Sequence, residues 1–268
     1  MLSPYTILYV IIAYKLLTTL VLPRLYKRAS DKWKLRLKTF TADNDGKVIP
    51  GGGKYKLLFI SVPSSGAGRA MDIFDECIEE LQKREENFTI EVYVTKSSHD
   101  IKSLIISRSD DISGYYGIVL LGGDSSITEL IQAPLAQNNV KWEYPPVLHL
   151  PGGSTNLLSK ELHGGVSHKE ILRQFSIDKT KRAGVIKLSA DGDDNSSIYA
   201  THIAFHGIGT HMLTEAEKHR HGLYAVFGKP ALVSIILKTV FSPPNRNESP
   251  YFALLHLENQ NLRYRLIF

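Results

Sequence analysis

An α/β fold is predicted for this chain, with a parallel sheet in its main domain and a β-rich antiparallel domain after it. Three observations predict it. Short apolar runs alternate with segments of helical period over residues 55–182. Each of three glycine-containing loops follows one of those apolar runs. After about Arg182, strand-like segments succeed one another with few helical ones between them, which sets residues 183–268 apart. A β-α-β-α-β order needs crossover helices on both faces of a parallel sheet, whereas consecutive strands pair antiparallel.

The 268 residues suffice for one large or two smaller domains, and 43% apolar with 22% charged residues permits a sizeable core. Cys77 is the one cysteine, so no intramolecular disulfide staples the fold, in keeping with a reducing compartment. The net charge of +5 is unevenly spread. Residues 1–38 hold eight Lys and Arg against Asp31 alone, a net +7, which leaves −2 for the remainder. A nucleic-acid binder carries its basic stripe on the folded domain, so no nucleic-acid partner is expected.

Tyr5–Leu22 is apolar apart from Thr6, Lys15, Thr18 and Thr19. As a helix it would be about 27 Å long, at the short end for a bilayer core of about 30 Å. Lys15 at its middle would cost about 2.5–3.5 kcal/mol on insertion. Two arrangements remain open, a spanning anchor and a helix lying in the interface with Lys15 snorkelling. The basic residues follow the apolar run instead of preceding it, unlike a signal peptide. Seven Lys and Arg after the segment place the body on the cytoplasmic side of a membrane. Their run from Arg24 to Lys38 suits anionic lipid.

Residues 39–54, with Asp43-Asn44-Asp45-Gly46 and Pro50-Gly51-Gly52-Gly53, read as a linker. Lys56–Val62 is a strand-length apolar run. Arg69–Glu86 places Met71, Phe74, Ile78 and Leu81 at helical spacing. Phe88–Thr95 alternates and is rich in β-branched residues. Asp100–Arg108 predicts a helix, Tyr116–Leu121 a buried strand, Ser126–Gln137 a helix and Pro146–Leu150 a short strand. Further on, Gly184–Ala190, Ile198–His206, Tyr251–Glu258 and Leu262–Phe268 read as strands, with a helical stretch over Leu213–Phe241. A domain of three or four strands ending on the last residue leaves an edge unpaired, so the second domain is expected to be incomplete.

Loops at the C-terminal ends of parallel strands are where open α/β sheets bind ligands. Here they are Pro63-Ser64-Ser65-Gly66-Ala67-Gly68, Gly122-Gly123-Asp124-Ser125-Ser126 and Pro151-Gly152-Gly153-Ser154-Thr155-Asn156. Small residues let backbone N–H groups approach a phosphate, and a following helix adds a favourable dipole. Asp124 could hold a metal-bound water or accept a hydroxyl proton. The first loop fits neither the P-loop nor the dinucleotide GxGxxG pattern, and no loop has the G-x-S-x-G elbow of a hydrolase. His202, His206 and His211 lack the further ligands that would complete a metal site.

Together these loops resemble the diacylglycerol kinase catalytic-domain family, which includes sphingosine and ceramide kinases. Val62–Gly68 is similar to its Asn-Pro-x-Ser-Gly loop, Gly122–Glu129 to its Gly-Gly-Asp-Gly-Thr loop with a helical Glu, and Pro151–Asn156 to its Pro-Ala-Gly-Thr/Ser-x-Asn loop. Thr95 with His99 resembles a Thr-x-x-x-(x)-His-Ala element. Glu215–Gly222 resembles a stretch of the sphingosine and ceramide kinase branch. The resemblance implies a nucleotide-binding domain and phosphoryl transfer from ATP, with Mg²⁺, to a hydroxyl of a lipid substrate: a sphingoid base, ceramide or diacylglycerol. It implies ATP-binding roles for Ser65, Gly66, Gly68, Thr95, Gly122, Gly123, Ser125, Ser126, Gly153, Ser154, Glu217 and Arg220. Glu129 and Asn156 would support the loops, and Asp124 would be general base or Mg²⁺ organiser.

The pattern is departed from at four places. Ser125 stands where the family has Gly, a costly exchange if φ there is positive. Val62 replaces Asn. His211 and Leu213 stand at headgroup-binding acidic positions, and Ala225 near an arginine. A catalytically weak or inactive relative that binds lipid or a partner at the membrane is therefore the alternative reading. A soluble-substrate kinase of the NAD kinase type is a further one, disfavoured by the third loop and the apolar N-terminal segment.

Overall fold

The computed structural model describes residue 9 and residues 21–97, 99–135, 145–176, 179–190, 193–200, 256–258 and 263–267. The chain divides into two compact units, Met1–Lys38 with Phe205–Tyr251, and Thr39–Ala204 with Phe252–Phe268. Along the chain run α1 (Leu22–Asn44), β1 (Val48–Ile49), β2 (Lys56–Ser61), α2 (Arg69–Asp72), α3 (Phe74–Gln82), β3 (Thr89–Val94), α4 (Asp100–Ser107), α5 (Ser109–Ile112), β4 (Gly117–Gly122), α6 (Asp124–Leu135), β5 (Val147–Pro151), α7 (Leu157–His163) and α8 (His168–Gln174). Strands β6 (Thr180–Gly184), β7 (Ile186–Ala190), β8 (Asp193–Ala200), β9 (His256–Glu258) and β10 (Arg263–Ile267) follow.

Among the described residues the main sheet has the order β1-β3-β2-β4-β5-β10-β6. Strands β3, β2, β4, β5 and β10 are parallel neighbours, while β1 and β6 close the two edges antiparallel. All of β4 and β5, and β2 beyond Lys56, are buried. A strand covered on both faces must be apolar throughout, which is why these three read as unbroken apolar runs. β3 alternates instead: Ile90, Val92 and Val94 are buried, while Thr89, Glu91 and Tyr93 are half-buried.

The period of two divides the core. Leu57, Phe59, Leu121, Leu148 and Leu150 pack on one face with Phe74, Cys77 and Leu81 of α3 and Ile171 and Leu172 of α8. Leu58, Ile60, Ile118, Leu120 and Val147 pack on the other with Ile105 of α4 and Ile127, Leu130 and Ile131 of α6. Phe74 lies edge-on to both Phe40 and Phe59, at centroid distances of 5.1 and 5.5 Å. That is an edge-to-face geometry, one of the two that aromatic rings prefer.

The expected linker is partly structured. Its first residues continue α1 to Asn44, and Val48 and Ile49 pair with Glu91 and Ile90 of β3. Asp45 Oδ1 accepts the Val94 amide at 3.1 Å and Ile49 is buried, so the folded body begins before Lys54. Two paired residues are too few to display a period, so local sequence did not reveal them.

The C-terminal strands also differ from expectation. Among the described residues β7, β8 and β9 form a three-stranded antiparallel sheet in the order β8-β7-β9. The final strand does not join it. β10 enters the main sheet between β5 and β6, with Leu266 opposite Val147 and Arg265 opposite Arg182. Residues 183–204 accordingly group with the α/β body and not with a separate unit. Parallel pairing with a strand more than a hundred residues earlier leaves no local signature in sequence.

The expected apolar helix over Tyr5–Leu22 lies almost wholly outside the described residues. Among the described residues no helix is long and apolar enough to cross a membrane. The basic run Arg24–Lys38 forms most of α1.

Candidate functional site

The chain leaves β2 for β3 on one side and leaves β4 for β5 on the other. Adjacent parallel strands whose connections diverge open a crevice at their C-terminal ends. The loops after β2 and β4 border that crevice, and the loop after β5 lies beside it.

The first loop is a left-handed turn. Gly66, Ala67 and Gly68 have φ of 59°, 55° and 97°. The two glycines adopt this freely, while Ala67 is strained by about 1–2 kcal/mol. The turn presses on the third loop, since a Cβ on Gly66 would lie 2.6 Å from the Gly152 carbonyl oxygen. The buried Ser65 donates its amide to the Val62 carbonyl at 2.9 Å.

In the second loop Gly122 ends β4, and α6 begins at Asp124. A Cβ on Gly122 would lie 2.8 Å from Ser126 Cβ. Ser126 is buried, and its amide donates to the Gly123 carbonyl at 3.0 Å. Ser125 is exposed and sits in the first turn of α6, not among the positive-φ residues. The strain that replacing glycine by serine would bring in a left-handed turn therefore does not arise.

The third loop is clamped by its own asparagine. Asn156 is buried at φ 52° and ψ 48°. Its Oδ1 accepts the Gly153 amide at 2.6 Å, and its Nδ2 donates to the Gly153 carbonyl at 2.8 Å. Asparagine tolerates left-handed backbone better than other side-chain-bearing residues. The second and third loops touch backbone to backbone. The Gly152 amide donates to the Gly122 carbonyl at 2.9 Å, and a Cβ on Gly153 would lie 2.6 Å from Gly123 Cα. The amides of the exposed Ser154 and Thr155 have no acceptor among the described residues.

Asp124 joins these two loops. Its Oδ2 accepts from the Thr155 hydroxyl at 3.2 Å and the Leu157 amide at 3.0 Å, and its Oδ1 from the Leu158 amide at 3.1 Å. Glu129 is used elsewhere than sequence suggested. Its Oε1 accepts the Lys102 amide at 3.0 Å, so it caps α4 and does not bond the second loop. Thr95 is buried at the end of β3, its amide donating to the Ser61 carbonyl at 3.0 Å. Ser61 itself is fully buried with no partner for its hydroxyl among the described residues.

The structure thus brings together Ser65, Gly66, Gly122, Gly123, Asp124, Ser126, Gly153 and Asn156. Gly68 ends the first turn. Glu217 and Arg220, and the histidines at 202, 206 and 211, lie outside the described residues. Sequence reasoning assigned no role to Thr155, although it bonds Asp124. Among the described residues no three His, Cys, Asp or Glu side chains gather as a metal site. A hollow of about 560 Å³ lies away from the loops, lined by Glu80, Lys83, Arg84, Glu85, Glu86 and Arg173. Ion pairs join Glu80 to Arg173 and Lys83, and Arg84 to Glu86.

Residues 56–188, which carry all three loops, match the family model of the diacylglycerol kinase catalytic domain. They belong to that family. Two curated Staphylococcus aureus proteins, from strains MSSA476 and MW2 and each named "putative lipid kinase", are 27% identical over 154 residues. The match takes in 58% of this chain and 44% of theirs, so the chain spans less than half the length of these relatives. A crystal structure of a diacylglycerol kinase from Bacillus anthracis str. Sterne aligns with a TM-score of 0.41 at 19% identity, over 61% of this chain and 54% of that one. All three loops of the diacylglycerol kinase catalytic domain are among the described residues.

Proposed function

We propose that the chain is a lipid kinase, transferring the γ-phosphate of ATP to a hydroxyl of diacylglycerol, a sphingoid base or ceramide. The observation that supports this most directly is the meeting of three small-residue loops at the crevice between β2 and β4. There Gly123 and Gly153 approach closely, and the Ser154 and Thr155 amides have no acceptor among the described residues. Phosphoryl transfer asks mainly for positioning and charge neutralisation. Backbone N–H groups on a rigid double loop supply both, because a fixed dipole needs no reorganisation as charge moves.

Magnesium fits as a companion of the nucleotide. It is typically bound through one or two carboxylates plus phosphate oxygens, and Asp124 is a carboxylate beside the cradle. When bound it would neutralise charge on the phosphate oxygens. The protein's own part is to orient the nucleotide through the loops and to hold Asp124 in place.

The lipid substrate places the protein at a membrane, with the catalytic part on the cytoplasmic side where ATP is found. Arg24, Lys27, Arg28, Lys32, Lys34 and Lys38 of α1 are exposed. Each basic residue near an anionic leaflet adds about 1 kcal/mol of attraction.

A second reading, a non-catalytic relative that binds lipid or a partner, draws support from Asp124, both of whose oxygens are already engaged. Calorimetry with ATP, with and without Mg²⁺, followed by γ-phosphate transfer to diacylglycerol, sphingosine and ceramide in mixed micelles separates the two. Transfer to one of these lipids is expected. ATP binding without transfer favours the second reading, and absence of nucleotide binding overturns the kinase.

A further inference from the structure

We propose that Asp124 is a positioning residue, the latch that holds the second and third glycine loops in one fixed cradle. Its effect on turnover rests on the kinase reading; the latch itself does not. The first amides of any helix lack intrahelical acceptors and need a cap. In α7 the residue at the capping position is Asn156, and its side chain makes no cap bond. Both ends of that amide turn back onto Gly153 instead. The cap is supplied from another loop: Asp124 takes the Leu157 and Leu158 amides, one on each oxygen, and the Thr155 hydroxyl as well.

Negative charge at a helix N-terminus is favourable, and hydrogen bonds to an ionised acceptor are the stronger kind. A carboxylate offers about four lone-pair sites, and at least three are occupied, one by the Thr155 hydroxyl of the third loop and two by the first amides of α7. A general base must present a lone pair within reach of the hydroxyl it deprotonates. Most of this carboxylate's accepting capacity is instead committed to Thr155 and the start of α7. The division of labour is consistent: Asn156 shapes the third loop from within, and Asp124 ties it to the second. The Gly123–Gly153 approach then sets the spacing between the phosphate-facing amides.

The test compares full-length wild type with Asp124→Ala, Asp124→Asn and Thr155→Val. Hydrogen exchange at the Leu157 and Leu158 amides reads the latch without reference to activity. We expect exchange to quicken on the order of tenfold or more in Asp124→Ala, less in Asp124→Asn, which keeps one acceptor oxygen, and least in Thr155→Val. ATP affinity by calorimetry should weaken in the same order. The acid limb of the pH–rate profile should persist in Asp124→Asn. Unchanged amide exchange in Asp124→Ala, or in Asp124→Asn should the alanine variant not fold, overturns the latch. Loss of turnover and of the acid limb in Asp124→Asn, with ATP affinity intact, identifies a general base and also overturns it. If wild type binds no ATP, the kinase reading fails while the exchange data still decide the latch.

Discussion

Gly153→Ala tests the closest approach in the site. The added Cβ would stand 2.6 Å from Gly123 Cα and 2.9 Å from Asn156 Oδ1. Nonbonded carbons settle at about 3.5–4.0 Å, so the two loops must part by about 1 Å. Gly153 is not a positive-φ residue, and the cost is therefore steric and not conformational. Overpacking costs about 1–3 kcal/mol. The upper half of that range applies here, because one obstacle is backbone and the other is a side chain pinned by two hydrogen bonds. At about 2–4 °C per kcal/mol for a chain of this size, about 2–3 kcal/mol lowers Tm by about 4–12 °C. Gly123→Ala is the graded companion, its Cβ meeting Gly153 Cα at 3.3 Å, and should cost less. Thermal melts followed by circular dichroism measure both, with ATP calorimetry beside them. A Gly153→Ala protein that melts like wild type and binds ATP equally well would refute the argument that backbone proximity is why glycine stands there.

Two further outcomes concern the body that carries the loops. Burial pushes the Glu91 carboxyl up, but hydrogen bonds from Lys56, Arg108 and Tyr115 outweigh it and hold the pKa at about 2. A folded-state pKa below the usual carboxylate value means that this stabilisation is full above about pH 4.5 and is lost as pH falls towards 2. Melts of Glu91→Gln against wild type should differ most near neutrality and converge as pH approaches 2; a constant gap would contradict the network. Burial likewise pushes the Cys77 thiol upward, and the residue is fully inaccessible within α3. Native protein at pH 8 should resist a thiol reagent that modifies one group per chain after denaturation, and rapid native labelling would show that α3 opens from the sheet.

How much was legible follows from the range of each interaction. The strands β2, β4 and β5 announced themselves because a strand buried on both faces is apolar at every position, and Phe88–Thr95 because a half-covered strand alternates. The loops were legible because small residues between a strand and a helix have few structural reasons to recur three times in one sheet. Glu129 was misread because its partner, the Lys102 amide, belongs to a different crossover. Ser125 carries no left-handed strain because α6 begins at Asp124, so the serine stands on helical backbone.

By itself, then, the sequence determined the α/β class, the places of the three loops and the resemblance they carry, since each depends on residues within a few positions of one another. Only the tertiary structure decided the order of the sheet, the return of β10 to β5, and the joining of the second loop to the third through Asp124 and the Gly123–Gly153 contact. Those features depend on pairs far apart in the chain. A hydrogen bond or a backbone approach between distant residues imposes no period and no spacing, so it becomes visible only when the fold brings the partners together.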